Sequence, residues 1–232
     1  MVGDIPLLLL GFFAFRNKMW FLTPCKSNYI SPYLFLEKKI MKNLTTMVFI
    51  HDEPTAKDLQ NFGINAVFLG NPMMDELEKE NLYEPPKDKT IIGIFPGSRR
   101  EAYKNMEKIG VVIKMIKNAY PDLHFVVAVS NAVNRNRLKK SISDINSIDF
   151  VKGASVDAVS SSTLVISLSG TASEQTVGLG IQIVSFVGNG SRTTRNRLKG
   201  QERLLGGCLK FVHDFPEGVI KEIKNLLFNE KL

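Results

Sequence analysis

Two short stretches hold residue types in an order that suits a phosphate-bearing ligand. The first is Phe95-Pro96-Gly97-Ser98-Arg99-Arg100-Glu101. Gly97 lets a turn approach a ligand closely. Ser98 and the amides after it can donate to a phosphate at a helix start, and Arg99 can add a charge-assisted bond. The Gly-Lys-Ser/Thr ending of a P-loop is absent, and taken alone the stretch also reads as an ordinary capped turn. The second is Ser167-Leu168-Ser169-Gly170-Thr171-Ala172-Ser173-Glu174-Gln175. Its small residues, Ser169, Gly170 and Thr171 among them, leave several amides pointing one way at a helix start, which is an anion site by construction. Glu174, one turn further in, can accept hydrogen bonds from two neighbouring ribose hydroxyls. Its other reading is a carboxylate that offsets the helix dipole, worth about 0.3–1 kcal/mol. Together the two stretches point to a nucleotide.

Other residues carry less. Val187-Gly188-Asn189-Gly190-Ser191-Arg192-Thr193-Thr194 resembles part of a dinucleotide fingerprint but lacks its third glycine. It reads as a flexible loop over a cleft, with Arg192 and Arg195 either reaching phosphate or solvated. In Gln201-Glu202-Arg203-Leu204-Leu205-Gly206-Gly207, the leucines read as core and the glycines as a C-cap. Gln201 reads as facing the cleft or the surface. His51, His124 and His213 lie in different elements with no metal-ligand spacing. His51-Asp52-Glu53 reads as a helix cap, and no Ser/His/Asp set is visible. Cys25 and Cys208 form no C-x-x-C pair and read as two buried thiols in a reducing cytoplasm.

The elements that must position these residues alternate between strand and helix. Strands are expected at 19–22, 47–50 and 66–69, with helices at 32–42, capped by Ser31, and from 51 or 52 to near Gly63. Residues 78–89 are polar and contain Pro85-Pro86, which resists helix and sheet alike. A boundary there gives a partial first domain at 1–80, a linker at 81–89 and a second domain at 90–232. After the linker, strands at 90–95, 125–129, 150–151, 164–167, 183–186 and 208–212 alternate with helices at 102–118, 135–141, 156–160, 170–178, 196–205 and 217–228. This rhythm predicts an α/β fold of two Rossmann-like units with parallel sheets. Ligands of such sheets bind beyond the carboxyl ends of the strands, where both phosphate-type stretches fall.

The chain has 232 residues and a formal charge of +7. A basic balance suits an acidic partner such as a nucleotide or an anionic membrane. The basic residues are scattered, and no nucleic-acid signature appears. Residues 6–15, PLLLLGFFAF, supply about half of the ~20 apolar residues a membrane span needs. They read as a buried helix that touches, at most, a membrane surface.

The motifs also match a family. Phe-Pro-Gly-Ser-Arg at 95–99 and Ser-Gly-Thr-Ala-Ser-Glu at 169–174 resemble the nucleotide-sugar motifs of lipid-A-disaccharide synthase. Tyr29-Ile30-Ser31-Pro32 and Gly70-Asn71-Pro72 are similar to motifs of its first domain, with Asn71 where the synthase has histidine. HDEPTAKDL, LGNPMMD, SGTASEQTVGLG and GQERLLGG resemble most the divergent lipid-A-disaccharide synthase-related proteins. The resemblance implies a GT-B glycosyltransferase with a UDP-sugar donor, a lipid-linked acceptor and no catalytic metal. It implies a protein of the cytoplasm, peripheral to the inner face of the membrane. Gly97, Ser98, Arg99, Ser169, Gly170 and Thr171 would surround the diphosphate. Glu174 would hold the ribose, Gln201 would face the donor, and Asp4 would be the general base. It further implies a chain shorter than the family at both ends. The alternatives are a UDP-sugar-binding relative without activity and a UDP-sugar epimerase.

Overall fold

The computed structural model describes residues 1–228 apart from Cys25, Glu76, Ser143, Asp144, Asn146 and Ala154. The chain divides into two compact units, Met1–Asp75 and Glu76–Leu232.

The first unit begins with an extended stretch. Val2 bridges Leu22 in parallel, and Gly3 N–H donates to the Leu22 carbonyl at 3.0 Å. Asp4 then caps α1 (Ile5–Phe15), its carboxylate accepting from the Ile5 amide at 2.7 Å, with Pro6 in the first turn. The helix stops where Arg16 takes a left-handed conformation. Strands β1 (Met19–Thr23), β2 (Thr45–Ile50) and β3 (Ala66–Phe68) form a parallel sheet in the order β1-β2-β3. Helices α2 (Phe35–Leu44) and α3 (Glu53–Asn61) connect them. Asp52 caps α3 by accepting from the Thr55 amide at 2.9 Å and its hydroxyl at 2.7 Å, so the expected cap is present. Leu8, Phe21, Met41, Val48 and Leu59 are fully buried at the centre.

Two expectations in this unit need correction. Residues 32–34 are not helical. Tyr33 instead drops into the core at 4% exposure, and its hydroxyl shares a hydrogen bond with Thr23 at 2.7 Å. The α2 helix therefore starts at Phe35, where Glu37 accepts from the Leu34 amide. Nor is α1 buried all round. Ile5 and Leu8 face the core, while Leu7, Leu10, Phe13 and Phe15 are exposed. An apolar helix has more apolar surface than its packing against α2 can cover.

The second unit holds a six-stranded, wholly parallel sheet. Its strands are β4 (Ile91–Phe95), β5 (His124–Val129), β6 (Ile148–Lys152), β7 (Leu164–Ser167), β8 (Gln182–Phe186) and β9 (Leu209–Val212). The spatial order is β6-β5-β4-β7-β8-β9. Counted from the unit's own first strand this is 3-2-1-4-5-6, the doubly wound order of nucleotide-binding sheets. β4 is buried at every position, which matches its unbroken apolar run. Helices α4 (Glu101–Ala119), α5 (Arg135–Lys140), α6 (Ser155–Ser160), α7 (Gly170–Gly178), α8 (Arg195–Leu205) and α9 (Glu217–Phe228) complete it. Met106, Ile109 and Ile113 of α4 and Val219 and Ile223 of α9 pack with Ile92, Phe125, Ile166 and Phe186 of the sheet in one core.

The connection before β4 is fastened to this unit. Asp157, 3% exposed on α6, accepts from the amides of Glu80 at 2.9 Å, Asn81 at 3.3 Å and Leu82 at 2.6 Å. Tyr83 donates its hydroxyl to Asp149, which also pairs with the His124 ring at 2.8 Å. Burial and the Asp149 carboxylate together raise the Tyr83 phenol above its ordinary range. Cys208, expected to be buried, is exposed: it closes the short turn after α8, and Leu209 takes the buried place instead. Leu205 is core as expected, but Leu204 is only half-buried. Cys25 lies outside the described residues.

Candidate nucleotide site

The strand order reverses between β4 and β7, so a crevice opens beyond the carboxyl ends of these neighbours. The loop after β4 carries Gly97, Ser98 and Arg99. The loop after β7 carries Ser169, Gly170 and Thr171. They are joined directly, since the Leu168 amide donates to the Phe95 carbonyl at 2.8 Å.

A cavity of about 350 Å³ lies here, within the size range of small-molecule sites. Gly97, Ser98, Ser169 and Thr171 line it, together with Ala172 and Gln175 of α7. Ser130 and Asn131 after β5, and Gly153 and Ser155 after β6, also line it, over a floor of Phe95, Ala128 and Val129. The sequence reading did not single out Ser130, Asn131, Gly153 or Ser155. The rule that ligands gather beyond strand ends would have found them.

The wall suits an anion. Helix α7 begins in the wall of the cavity, and its N-cap residue Ser169 does not cap it with its side chain, so a partial positive charge of about half an electron faces the space. Helix α4 begins at Glu101, beyond the lining residue Ser98, and carries that carboxylate in its own first turn. The backbone around Ser169 is held from below. The Ser173 hydroxyl donates to the Ser169 carbonyl at 2.6 Å, and the Ser185 hydroxyl donates to the Ser167 carbonyl at 2.7 Å. Gly97 has φ +114°, a conformation that strains any other residue.

The remaining candidates are placed as follows. Arg99 is exposed at the entry to α4 and does not line the cavity. Glu174 is half-buried on the second turn of α7, also outside the lining. Gln201 is 7% exposed, and its amide donates to the Gly170 carbonyl at 3.0 Å, so it supports the loop from behind. Asp4 belongs to the first unit, at the carboxyl-end edge of that unit's sheet. Arg192 and Arg195 are exposed. Burial and the neighbouring Arg192 lower the Arg197 guanidinium from its ordinary value. Among the described residues, no group of three or more His, Cys, Asp or Glu is placed to hold a metal.

The turn after β8, read from sequence as flexible, is tied down. Asn105 of α4, fully buried, accepts from the Asn189 amide at 2.6 Å and donates to the Pro96 carbonyl at 2.9 Å. A lone asparagine in the apolar stripe Ala102, Asn105, Met106, Ile109 was the available signal.

A parallel α/β unit with this strand order, following a second parallel α/β unit, defines a GT-B-like protein. Solved structures share the fold: the S. aureus MnaA–UDP co-structure matches at a TM-score of 0.68 and 20% identity, over 99% of this chain and 65% of that one. The UDP-GlcNAc 2-epimerase of Neisseria meningitidis bound to UDP-GlcNAc matches at 0.67 and 18%, over 97% and 66%. The family model described as lipid-A-disaccharide synthetase matches residues 37–181, and the chain belongs to that family. Lipid-A-disaccharide synthase 1 of Legionella pneumophila (strain Paris) is 28% identical over 160 residues, which is 62% of this chain. The chain spans only 41% of that relative's length in the match.

Proposed function

We propose that the second unit binds the UDP part of a UDP-sugar, and that the protein transfers a hexosamine-type sugar to a lipid-linked or similar acceptor. The observation that carries this reading is the start of α7, without a side-chain cap, beside the Gly97-Ser98 turn at the strand-order reversal, both lining one cavity. The amides of Gly97, Ser98, Ser169, Gly170 and Thr171 would take the diphosphate, and Arg99 would turn inward to add charge. Glu174 would hold the ribose. Gln201 would act through Gly170 and not touch the ligand.

In the reaction, an acceptor hydroxyl attacks the anomeric carbon as the bond to the UDP oxygen breaks. Asp4 takes the hydroxyl proton, and UDP leaves with the electron pair. The start of α7, the loop amides and Arg99 stabilise the charge on the departing diphosphate, so this reading requires no metal. Family membership supports the donor and the lipid acceptor. The exposed apolar face of α1, Leu7, Leu10, Phe13 and Phe15, supports an acceptor met at a membrane surface, at the cytoplasmic face in this reading. No helix among the described residues is long and apolar enough to cross a membrane.

Calorimetric titration with UDP and with ADP, without metal, tests the donor site. Binding of UDP with little binding of ADP is expected, and a folded sample that ignores both removes the reading. A second reading, UDP-sugar epimerisation, is favoured by the fold shared with UDP-GlcNAc 2-epimerases. Incubation with UDP-GlcNAc and no acceptor separates the two, because only an epimerase alters the sugar under those conditions. A protein that binds UDP and does neither is an inactive relative.

A further inference from the structure

Asn105 is out of place by its surroundings. It is fully buried on α4, on the face that carries Ala102, Met106 and Ile109 into the core. A polar group there is costly unless both ends of its amide are bonded. Both are. The side-chain N–H donates to the Pro96 carbonyl, and the side-chain oxygen accepts from the Asn189 amide, a residue 84 positions away in sequence. The turn it grips is shaped to the grip. A Cβ at Gly188 would stand 2.8 Å from the Asn105 oxygen and 2.9 Å from the Thr193 hydroxyl, so only glycine fits. Thr193, 4% exposed, donates to the Asn189 carbonyl and closes the turn on itself.

One side chain therefore joins the turn after β4 to the turn after β8. The first of these lines the cavity, and a Cβ built at its Gly97 would stand 3.8 Å from the Asn105 amide nitrogen. The bond holds the Pro96 carbonyl, and with it the plane of the Pro96–Gly97 peptide, which also carries the Gly97 N–H. We propose that Asn105 is a positioning residue for the diphosphate. By bracing the two turns against each other it sets the direction of the Gly97 and Ser98 amides, and so fixes preference for a nucleoside diphosphate over the bare nucleoside. The ligand chemistry rests on the UDP-sugar reading. The brace itself does not.

The test compares wild type, Asn105→Ala and Asn105→Asp by protein-observed NMR titration with UDP and with uridine. In Asn105→Ala, UDP affinity should fall at least tenfold while uridine affinity stays within about twofold. Asn105→Asp keeps the acceptor for Asn189 but sets a carboxylate oxygen against the Pro96 carbonyl, so its UDP affinity should also fall at least tenfold. Equal weakening of both ligands, as general loosening would give, overturns the proposal, and so does unchanged UDP affinity. Hydrogen exchange at the Asn189 amide reads the brace without any ligand. Exchange should rise in Asn105→Ala and stay slow in Asn105→Asp, and an unchanged rate in Asn105→Ala overturns the brace. A wild-type protein that binds neither ligand while Asn189 behaves as expected removes the UDP-sugar reading and the diphosphate role, and leaves the brace.

Discussion

The two units finish their strands in opposite ways. In the second, the polar groups beyond the strand ends are bonded to one another. Asn105 uses both ends of its amide, Ser173 and Ser185 hold the backbone around Ser169, and Asp157 takes three amides. In the first, Asn28 Oδ1, His51 Nδ1 and Asp52 Oδ2 are buried with no hydrogen-bond partner among the described residues, the last of them 3.9 Å from His51 Nε2, and large apolar side chains lie exposed on α1. The difference matters because an anion site works only when its donors are held in place before the ligand arrives. A bonded frame supplies that rigidity. A surface that meets an apolar partner needs area and not aligned dipoles.

Several measurements would break or sharpen this contrast. The largest effect is expected at Asp157. Asp157→Ala leaves three amides without their carboxylate and should cost roughly 1.5–3 kcal/mol in urea unfolding, with faster exchange at Leu82. A loss below half a kcal/mol would mean the connection is not fastened as described. Next is Glu174→Ala, for which the ribose role predicts UDP binding weaker by roughly 1–3 kcal/mol; unchanged affinity in a folded variant would take Glu174 out of the site.

In the first unit, Asp52→Ala should cost about 1 kcal/mol through the lost helix cap. Asp52→Asn keeps the capping oxygen and replaces the other, which lies 3.9 Å from His51 Nε2, by an amide nitrogen, so its loss should be smaller than that of Asp52→Ala. Equal damage from both substitutions would show that the charge beside His51, and not the cap, carries the stability. The smallest effect is expected at Leu10→Ser. Stability should change by less than about 0.5 kcal/mol, while binding to vesicles containing anionic lipid falls if α1 meets a membrane. Unchanged vesicle binding would leave its apolar face without that role.

Much of the frame was legible in the residues. The apolar run at β4, the amphipathic period of α4, and the Gly/Ser-rich starts after β4 and β7 are local signals. Each follows from side-chain type and backbone freedom over a few neighbours. They determined the parallel α/β class and where the two Gly/Ser-rich loops fall. The helix of 32–34 was misplaced because Ser31-Pro32 is an adequate local start, whereas the bond between Tyr33 and Thr23 spans ten residues. Burial of α1 was overstated because apolar composition says how much surface seeks cover and not how much cover the fold provides.

Tertiary structure alone decided which loops meet. Strand order, and with it the reversal between β4 and β7, depends on pairing between segments some 70 residues apart in sequence, about which local pattern is silent. The same holds for the role of Asn105. Its sequence neighbours show only a polar residue in an apolar stripe, and its two partners become visible once the chain has brought Pro96 and Asn189 to either side of it. Local propensity acts within a few residues of backbone, while a hydrogen bond between distant turns exists only after the core between them has packed.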